Sequence, residues 1–469
     1  MENKGIKERF KSIKKAEKVP LKERDWTKGN IVTSILLLSG PLMVTQLLNM
    51  IGQPIDMYWV GKLGTTAMAG VSTGGAIIRL MITAMMGLGV GMRAIIARHE
   101  GEGDREGAIR VAMHGFIAGG IYTLFVVTVG VIFARPALVL LGIEPDVIAE
   151  GVPYVRIMSI GMAIMTFRMI CEGVMQASGD ATTPLKISIL FRVTHFILDP
   201  LLILGLWIFP RMGVSGAALT NILAQSLGLV LGIWVLFSGR TRLKLVFKGF
   251  YFDFGIMWRI IKIGFPFTII GMQMSLQHLT MMKMVVPFGT VAIAAHASVG
   301  ANIDMILIML IMGLGLGSGV MAGQNLGAGK PERAQKAAWV ALGFSEVICF
   351  IYAGFVFFYA EHIVGAINND PHLIELASSF LRIMCVGYLA AGFIAVLKHT
   401  IAGAGDTIPA MVVELGHMWI VMIPLAYFLS HKTGLGMFGI RWAAVIGVYA
   451  GALGYYVYFR TGKWKLKKV

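Results

Sequence analysis

Arg192, His195 and Asp199 stand at i, i+3 and i+7, the spacing that puts three side chains on one face of a helix. They do so inside an otherwise apolar run. Asp56 stands in another such run, Pro54-Ile55-Asp56-Met57-Tyr58-Trp59. An ionisable side chain at the centre of a membrane helix costs about 2.5–3.5 kcal/mol on insertion scales, so each needs a reason to be there. Two carboxylates sharing a low-dielectric site cannot both ionise easily, so one is expected to hold a proton. That is the chemistry of proton coupling. Carboxylates joined by neutral oxygens from Thr220 and Asn221 can equally enclose Na⁺, a hard cation. The structural alternative is that Asp199 pairs with Arg192 or His195 and simply holds its helices together.

A second polar set lies further along the chain: His278, Lys283 and Asp304. Lys283 with Asp304 reads as a structural ion pair, since each charge supplies the partner the other needs. It is also a rival coupling or substrate site.

The elements that position these residues are membrane helices. The chain has 469 residues, of which 57% are hydrophobic and only 14% charged. Soluble domains carry about 25% charge. Apolar runs longer than about 18 residues recur along the whole length, which marks a polytopic membrane protein. Twelve are visible, at 31–59, 64–96, 108–133, 148–178, 182–208, 214–238, 253–286, 290–322, 333–359, 372–403, 407–430 and 438–460.

The runs fall into two equivalent sets of six. Gly87-Leu88-Gly89-Val90-Gly91 returns as Gly313-Leu314-Gly315-Leu316-Gly317, an offset of 226 positions (313 − 87). The same offset carries Gly101 and Gly103 onto Gly327 and Gly329, Gly179-Asp180 onto Gly405-Asp406, and Gly213 onto Gly439. Six spans per unit give both units the same orientation. They are parallel repeats related by an axis along the membrane normal, the architecture of an alternating-access transporter. The fold class is therefore all-α, with twelve transmembrane helices in two six-helix lobes.

The expected divisions are a basic tail over 1–30, a first lobe over 31–239 and a basic linker over 240–252. A second lobe over 253–460 and a basic tail over 461–469 follow. The net charge of +16 is concentrated in those tails, the linker and alternate loops. By the positive-inside rule these are cytoplasmic anchors, which places both termini in the cytoplasm of an inner-membrane protein and argues against a nucleic-acid partner. No cleavable signal peptide is expected, because the basic stretch before the first apolar run is too long.

The repeat also serves as an internal control. Asp56, His195 and Asp199 map onto Met282, Val421 and Leu425, so their cluster belongs to one lobe only. Glu172 and Lys398, in contrast, are equivalent positions of opposite charge. Facing one another across the axis they would form a gate at the cytoplasmic side, with Arg168 at i−4 as the competing partner of Glu172. Pro41 and Pro54 give helix 1 two points of bending. Cys171, Cys349 and Cys385 lie in apolar runs without metal spacing and read as small buried hydrophobes. No metal-ligand set and no nucleophile–base arrangement is apparent. An enzyme, a resident metal and a cofactor are all unexpected.

Asp56-Met57-Tyr58-Trp59-Val60-Gly61-Lys62-Leu63-Gly64 resembles the corresponding segment of multidrug and toxic compound extrusion (MATE) transporters. So do the two Gly-Asp turns, and Leu198-Asp199-Pro200 followed by Gly213-Val214-Ser215-Gly216-Ala217-Ala218. The resemblance runs from about residue 30 to near the end. It implies a V-shaped pair of lobes and export of amphipathic organic compounds in exchange for H⁺ or Na⁺. Asp56 matches the family's coupling aspartate on helix 1, and Asp199 its helix 5 partner. His195 stands where some prokaryotic members carry asparagine, and Asn221 where they carry threonine. Histidine is a side chain that can exchange a proton near neutral pH, which favours H⁺. Gln273 stands near the place of the helix 7 carboxylate found in norfloxacin exporters. The chain is therefore closer to the DNA-damage-inducible F-type branch. The alternative from the wider superfamily is a flippase or exporter of lipid-linked glycans or other anionic lipids. Expected partners are a small organic substrate and membrane lipid, with the protein a monomer.

Overall fold

The computed structural model describes residues 24–140, 142–246 and 250–469, the side chains of 300–302 excepted. Residues 1–23 of the expected basic tail and 247–249 of the linker lie outside the described residues.

Among the described residues, twelve helices are long and apolar enough to cross a membrane. The first six are α1 Ile31–Gly61, α2 Thr65–Glu102, α3 Arg105–Leu140, α4 Pro145–Ser178, α5 Thr182–Leu204 and α6 Gly213–Ser238. Of the second six, α7 Phe254–Val285, α10 Pro371–Gly403 and α12 Met437–Arg460 are continuous, and α9 Pro331–Gly365 is kinked at Tyr359. The other two are composite. α8 runs through Thr290–Ser298, a π-helical stretch Val299–Asp304 and Met305–Gly327. α11 runs through Thr407–Leu415, the π-helical Gly416–Met422 and Ile423–His431.

Several helices outrun the apolar segments that announce them. α2 has 38 residues and is ~57 Å long at 1.5 Å per residue, well beyond a ~30 Å hydrocarbon core. Hydropathy marks only the part in lipid, and the polar ends continue the helix into the interface. Side-chain caps set the starts of some helices. Asn30 accepts from the amides of Val32 (2.8 Å) and Thr33 (3.3 Å), and Asp253 from that of Gly255 (2.7 Å). The first Gly-Asp turn works the same way. Gly179 has φ +95°, which glycine tolerates, and Asp180 then accepts from the Thr183 amide at 3.0 Å to open α5.

The two lobes meet along glycine faces. A Cβ on Gly87 would strike Gly264 and Thr268 of α7, and one on Gly91 the Ile260 carbonyl. On α8, Gly313 lies against the Met43 backbone and Gly317 against Ser39 of α1. Close backbone approach of this kind is what small residues permit in membrane helices. Two of the contacts are symmetry mates. Gly101 abuts the Gln324 carbonyl and Gly327 abuts the Arg98 carbonyl, and the offset of 226 carries 98 to 324 and 101 to 327. The lobes are thus related by an approximate two-fold axis, as the repeat requires.

All these contacts lie toward the end of the bundle that carries the basic loops around Arg98, Arg105, Lys330 and Arg333. Toward the other end, glycines pack inside a lobe instead: Gly70 and Gly74 on α4, Gly439 on Leu429, Gly447 on Met422. The cleft between lobes is closed at the basic end and open at the other.

A terminal strap reinforces the closure. Trp26 is buried, its indole N–H donating to the Gly179 carbonyl at 3.0 Å in the first lobe. Lys330 and Arg333 of the second lobe donate to the carbonyls of Thr27 (3.0 Å) and Gly29 (2.9 Å). Gln324 reaches across to the Ala177 carbonyl at 2.9 Å.

Candidate functional site: a buried carboxylate–histidine cluster in the first lobe

α1 packs along α5 in the open half of the first lobe, and Gly52 on α1 leaves room for the Arg192 guanidinium. This packing brings Asp56 to His195 and Asp199. His195 Nε2 lies 3.1 Å from Asp56 Oδ1 and 3.7 Å from Asp199 Oδ1. One ligand atom from each of the three residues falls within 4.8 Å of the others. His195 and Asp199 are buried and Asp56 is partly so.

The cluster is short of donors. Both Asp199 oxygens, Asp56 Oδ1 and His195 Nε2 are buried without a hydrogen-bond partner among the described residues. Nε2 is close to Asp56 but off the hydrogen-bond axis. Arg192 Nη1 stands 3.4 Å from His195 Nδ1. A guanidinium only donates, so Nδ1 is the acceptor there, and any proton on the ring sits on Nε2, facing the carboxylates. Arg192 also donates to the Asn49 carbonyl at 3.4 Å, and its guanidinium lies 4.9 Å from the centroid of Phe191. A buried carboxylate with two idle oxygens is costly unless a proton or a cation joins it. This is a site shaped to take up a small positive species.

Thr220 and Asn221 do not bond to the cluster. Thr220 is buried and donates to its own helix, to Gly216 at 2.9 Å. Asn221 accepts from Gln225 at 3.3 Å, and Gln225 in turn accepts from Arg168. The side chain of each finds a nearer partner on its own helix. Pro41 and Pro54 sit within α1, which remains one continuous helix through both.

The second polar set is arranged differently from the expectation. Asp304 does not pair with Lys283. Its partners are Arg441 on α12, at 3.8 Å, and the Tyr388 hydroxyl on α10. Arg441 also donates to the His296 carbonyl at 3.1 Å. The π-helical stretch ending at Asp304 lies where these helices meet, whereas Lys283 and His278 are exposed near the end of α7. Gln273 is buried and accepts from the Trp419 indole at 3.2 Å.

The Glu172–Lys398 pair is likewise not formed. Glu172 binds Arg168, one turn back on α4, and accepts from Ser188 at 3.3 Å. Lys398 binds Glu414 on α11 at 3.3 Å, and Tyr455 donates to the same carboxylate at 2.7 Å. Each charge is neutralised inside its own lobe, where a partner is closer than the opposite lobe.

Sequence reasoning passed over Arg93. It lies between the lobes in a small cavity lined also by Gln176, Leu316 and His399. Its signal was an arginine four residues after a glycine, in the glycine-rich stretch Gly87–Arg93.

A family model described as MatE matches residues 41–201 and 266–428. A curated relative in Bacillus subtilis strain 168, "Probable multidrug resistance protein YoeA", is 25% identical over 458 residues, covering 96% of this chain and 98% of the relative. The "FAD transporter" of Shewanella oneidensis is 25% identical over 386 residues, covering 81% and 84%. Among solved structures, the outward-facing conformation of a multidrug resistance MATE family transporter superposes with a TM-score of 0.88. It is 23% identical and covers 94% of this chain and 98% of that one.

Proposed function

The chain belongs to the MatE family of membrane transporters, and on that premise we propose that it exports amphipathic organic compounds in antiport with protons. The observation that carries the coupling is the convergence of Asp56, His195 and Asp199 with their buried, unpartnered oxygens. The names of its relatives, multidrug resistance proteins and an FAD transporter, support an organic cargo.

By the positive-inside rule the basic loops support a cytoplasmic closed end of the cleft, with both termini on that side. The open end faces outside, and so does the cluster. A proton entering from outside neutralises one carboxylate and relieves its repulsion from the other. α1 then repacks against α5, with the unpaired carbonyls left by Pro41 and Pro54 lowering the cost of bending. The cavity shrinks and cargo leaves outward. Return of the proton to the cytoplasm follows when the lobes reopen inward.

Na⁺ is the competing ion. Two features favour H⁺. A histidine nitrogen occupies a ligand position that a hard cation would fill with oxygen, and Thr220 and Asn221 turn their oxygens elsewhere. The test is transport in proteoliposomes with pH and Na⁺ gradients imposed separately. Export driven by the pH gradient alone is expected. Export driven only by Na⁺ overturns the choice of ion.

A further inference from the structure

We propose that Arg93, with Gln176 beside it, forms an anion-binding subsite at the closed end of the cleft, which holds the anionic oxygen group of an amphipathic substrate. This rests on the export reading and narrows its substrate class.

Among the described residues Arg93 has no hydrogen bond, ion pair or ring partner. Other arginines in the helical bundle are engaged: Arg168 by Glu172, Arg192 by Asn49, Arg441 by Asp304. Glu172, whose charge reaches Arg93, is already held by Arg168 and Ser188. A guanidinium between apolar helices is costly without an acceptor, and the geometry shows where one would come from. α2 starts at the open end, and helical side chains lean toward the start of their helix. The Arg93 head group therefore lies back over Gly89, one turn nearer the opening, and an added Cβ there would sit 3.5 Å from Nη1. Gly173 on α4 lies alongside the Arg93 stem, where an added Cβ would sit 3.6 Å from its Cγ.

His399 on α10 of the other lobe lines the same cavity, its Nδ1 donating to the Ala395 carbonyl at 2.9 Å. Gln176 is buried in the cavity wall and adds an amide. The lining holds one cationic side chain, Arg93, and no carboxylate. An arginine fork with an amide beside it fits a phosphate or carboxylate and repels an ammonium.

The experiment measures flavin fluorescence on full-length protein in nanodiscs, with riboflavin and riboflavin 5′-phosphate as a pair differing by one phosphate. The phosphate form should bind about tenfold tighter or more. Arg93→Gln should abolish that preference, and Arg93→Lys should keep part of it. Equal binding of the two flavins by the native protein, or an equal loss of both in Arg93→Gln, overturns the subsite. Competition by inorganic phosphate supports recognition of the bare group. Loss of the preference only in phosphatidylglycerol discs supports a lipid headgroup as its source. Ethidium export is followed in parallel in proteoliposomes. Gradient-driven export without a phosphate preference refutes the subsite alone, and a preference without export of any tested compound refutes the export reading alone.

Discussion

Lys398 holds the position in the second lobe that Glu172 holds in the first, yet each is bound within its own lobe, Lys398 to Glu414 at 3.3 Å and Glu172 to Arg168. The equivalence goes one step further. Ser188, which donates to Glu172, is the mate of Glu414 under the same offset of 226. One contact between neighbouring helices has been kept in both lobes and rewritten with different charges. A double-mutant cycle on Glu172 and Lys398 should therefore be additive within about 0.5 kcal/mol. A cycle on Lys398 and Glu414 should show clear coupling, and Lys398→Ala alone should destabilise by about 3–5 kcal/mol by stranding a buried carboxylate. Denaturation in detergent measures both.

Asp56→Asn should remove coupling without unfolding the protein. The amide fills the same volume but takes up no proton at neutral pH. Gradient-driven export is expected to fall to background while the melting temperature moves little. Normal export by this variant would end the case for Asp56 as the coupling residue. His195→Gln should keep some transport and flatten its dependence on outside pH, because the ring is the group nearest both carboxylates.

Lys283→Ala should be nearly silent, within about 0.5 kcal/mol, since its side chain is exposed. Asp304→Ala should cost about 3–5 kcal/mol, because it leaves Arg441 buried and unbalanced. Arg441→Leu on top of Asp304→Ala should recover much of that loss. A large effect of Lys283→Ala would restore the pairing that the sequence suggested.

Gly327→Val should prise open the closed end. The added side chain meets the Arg98 carbonyl and the Glu102 amide, and that backbone is fixed in α2. A cysteine introduced at Ala97, itself buried beside Gly323, reports the change. Labelling of Ala97→Cys by a water-soluble maleimide should rise several-fold in the Gly327→Val background and stay low without it.

The number of helices and their twofold repetition were legible because hydropathy and glycine spacing are local signals that survive in one chain. The convergence of Asp56, His195 and Asp199 was legible for a related reason. His195 and Asp199 share a helix face by spacing, and Asp56 shares their depth. Pairing across the lobe was not legible. Asp304 has two basic candidates, and only the meeting of α8 with α12 selects Arg441 over Lys283. Thr220 and Asn221 have the right chemistry and depth, but a helical backbone offers each a nearer bond. Arg93 was hidden by its setting, since a glycine-rich stretch reads first as a packing surface.

The reciprocal contacts at the closed end, Gly101 on Gln324 and Gly327 on Arg98, are the kind that two identical subunits make around a shared axis. The peptide between the lobes then tethers what is in effect a dimer of two related but unequal halves. The second half carries Met282, Val421 and Leu425 where the first carries the carboxylate–histidine cluster. On the proposed export reading, that second half is free to diverge toward the cargo.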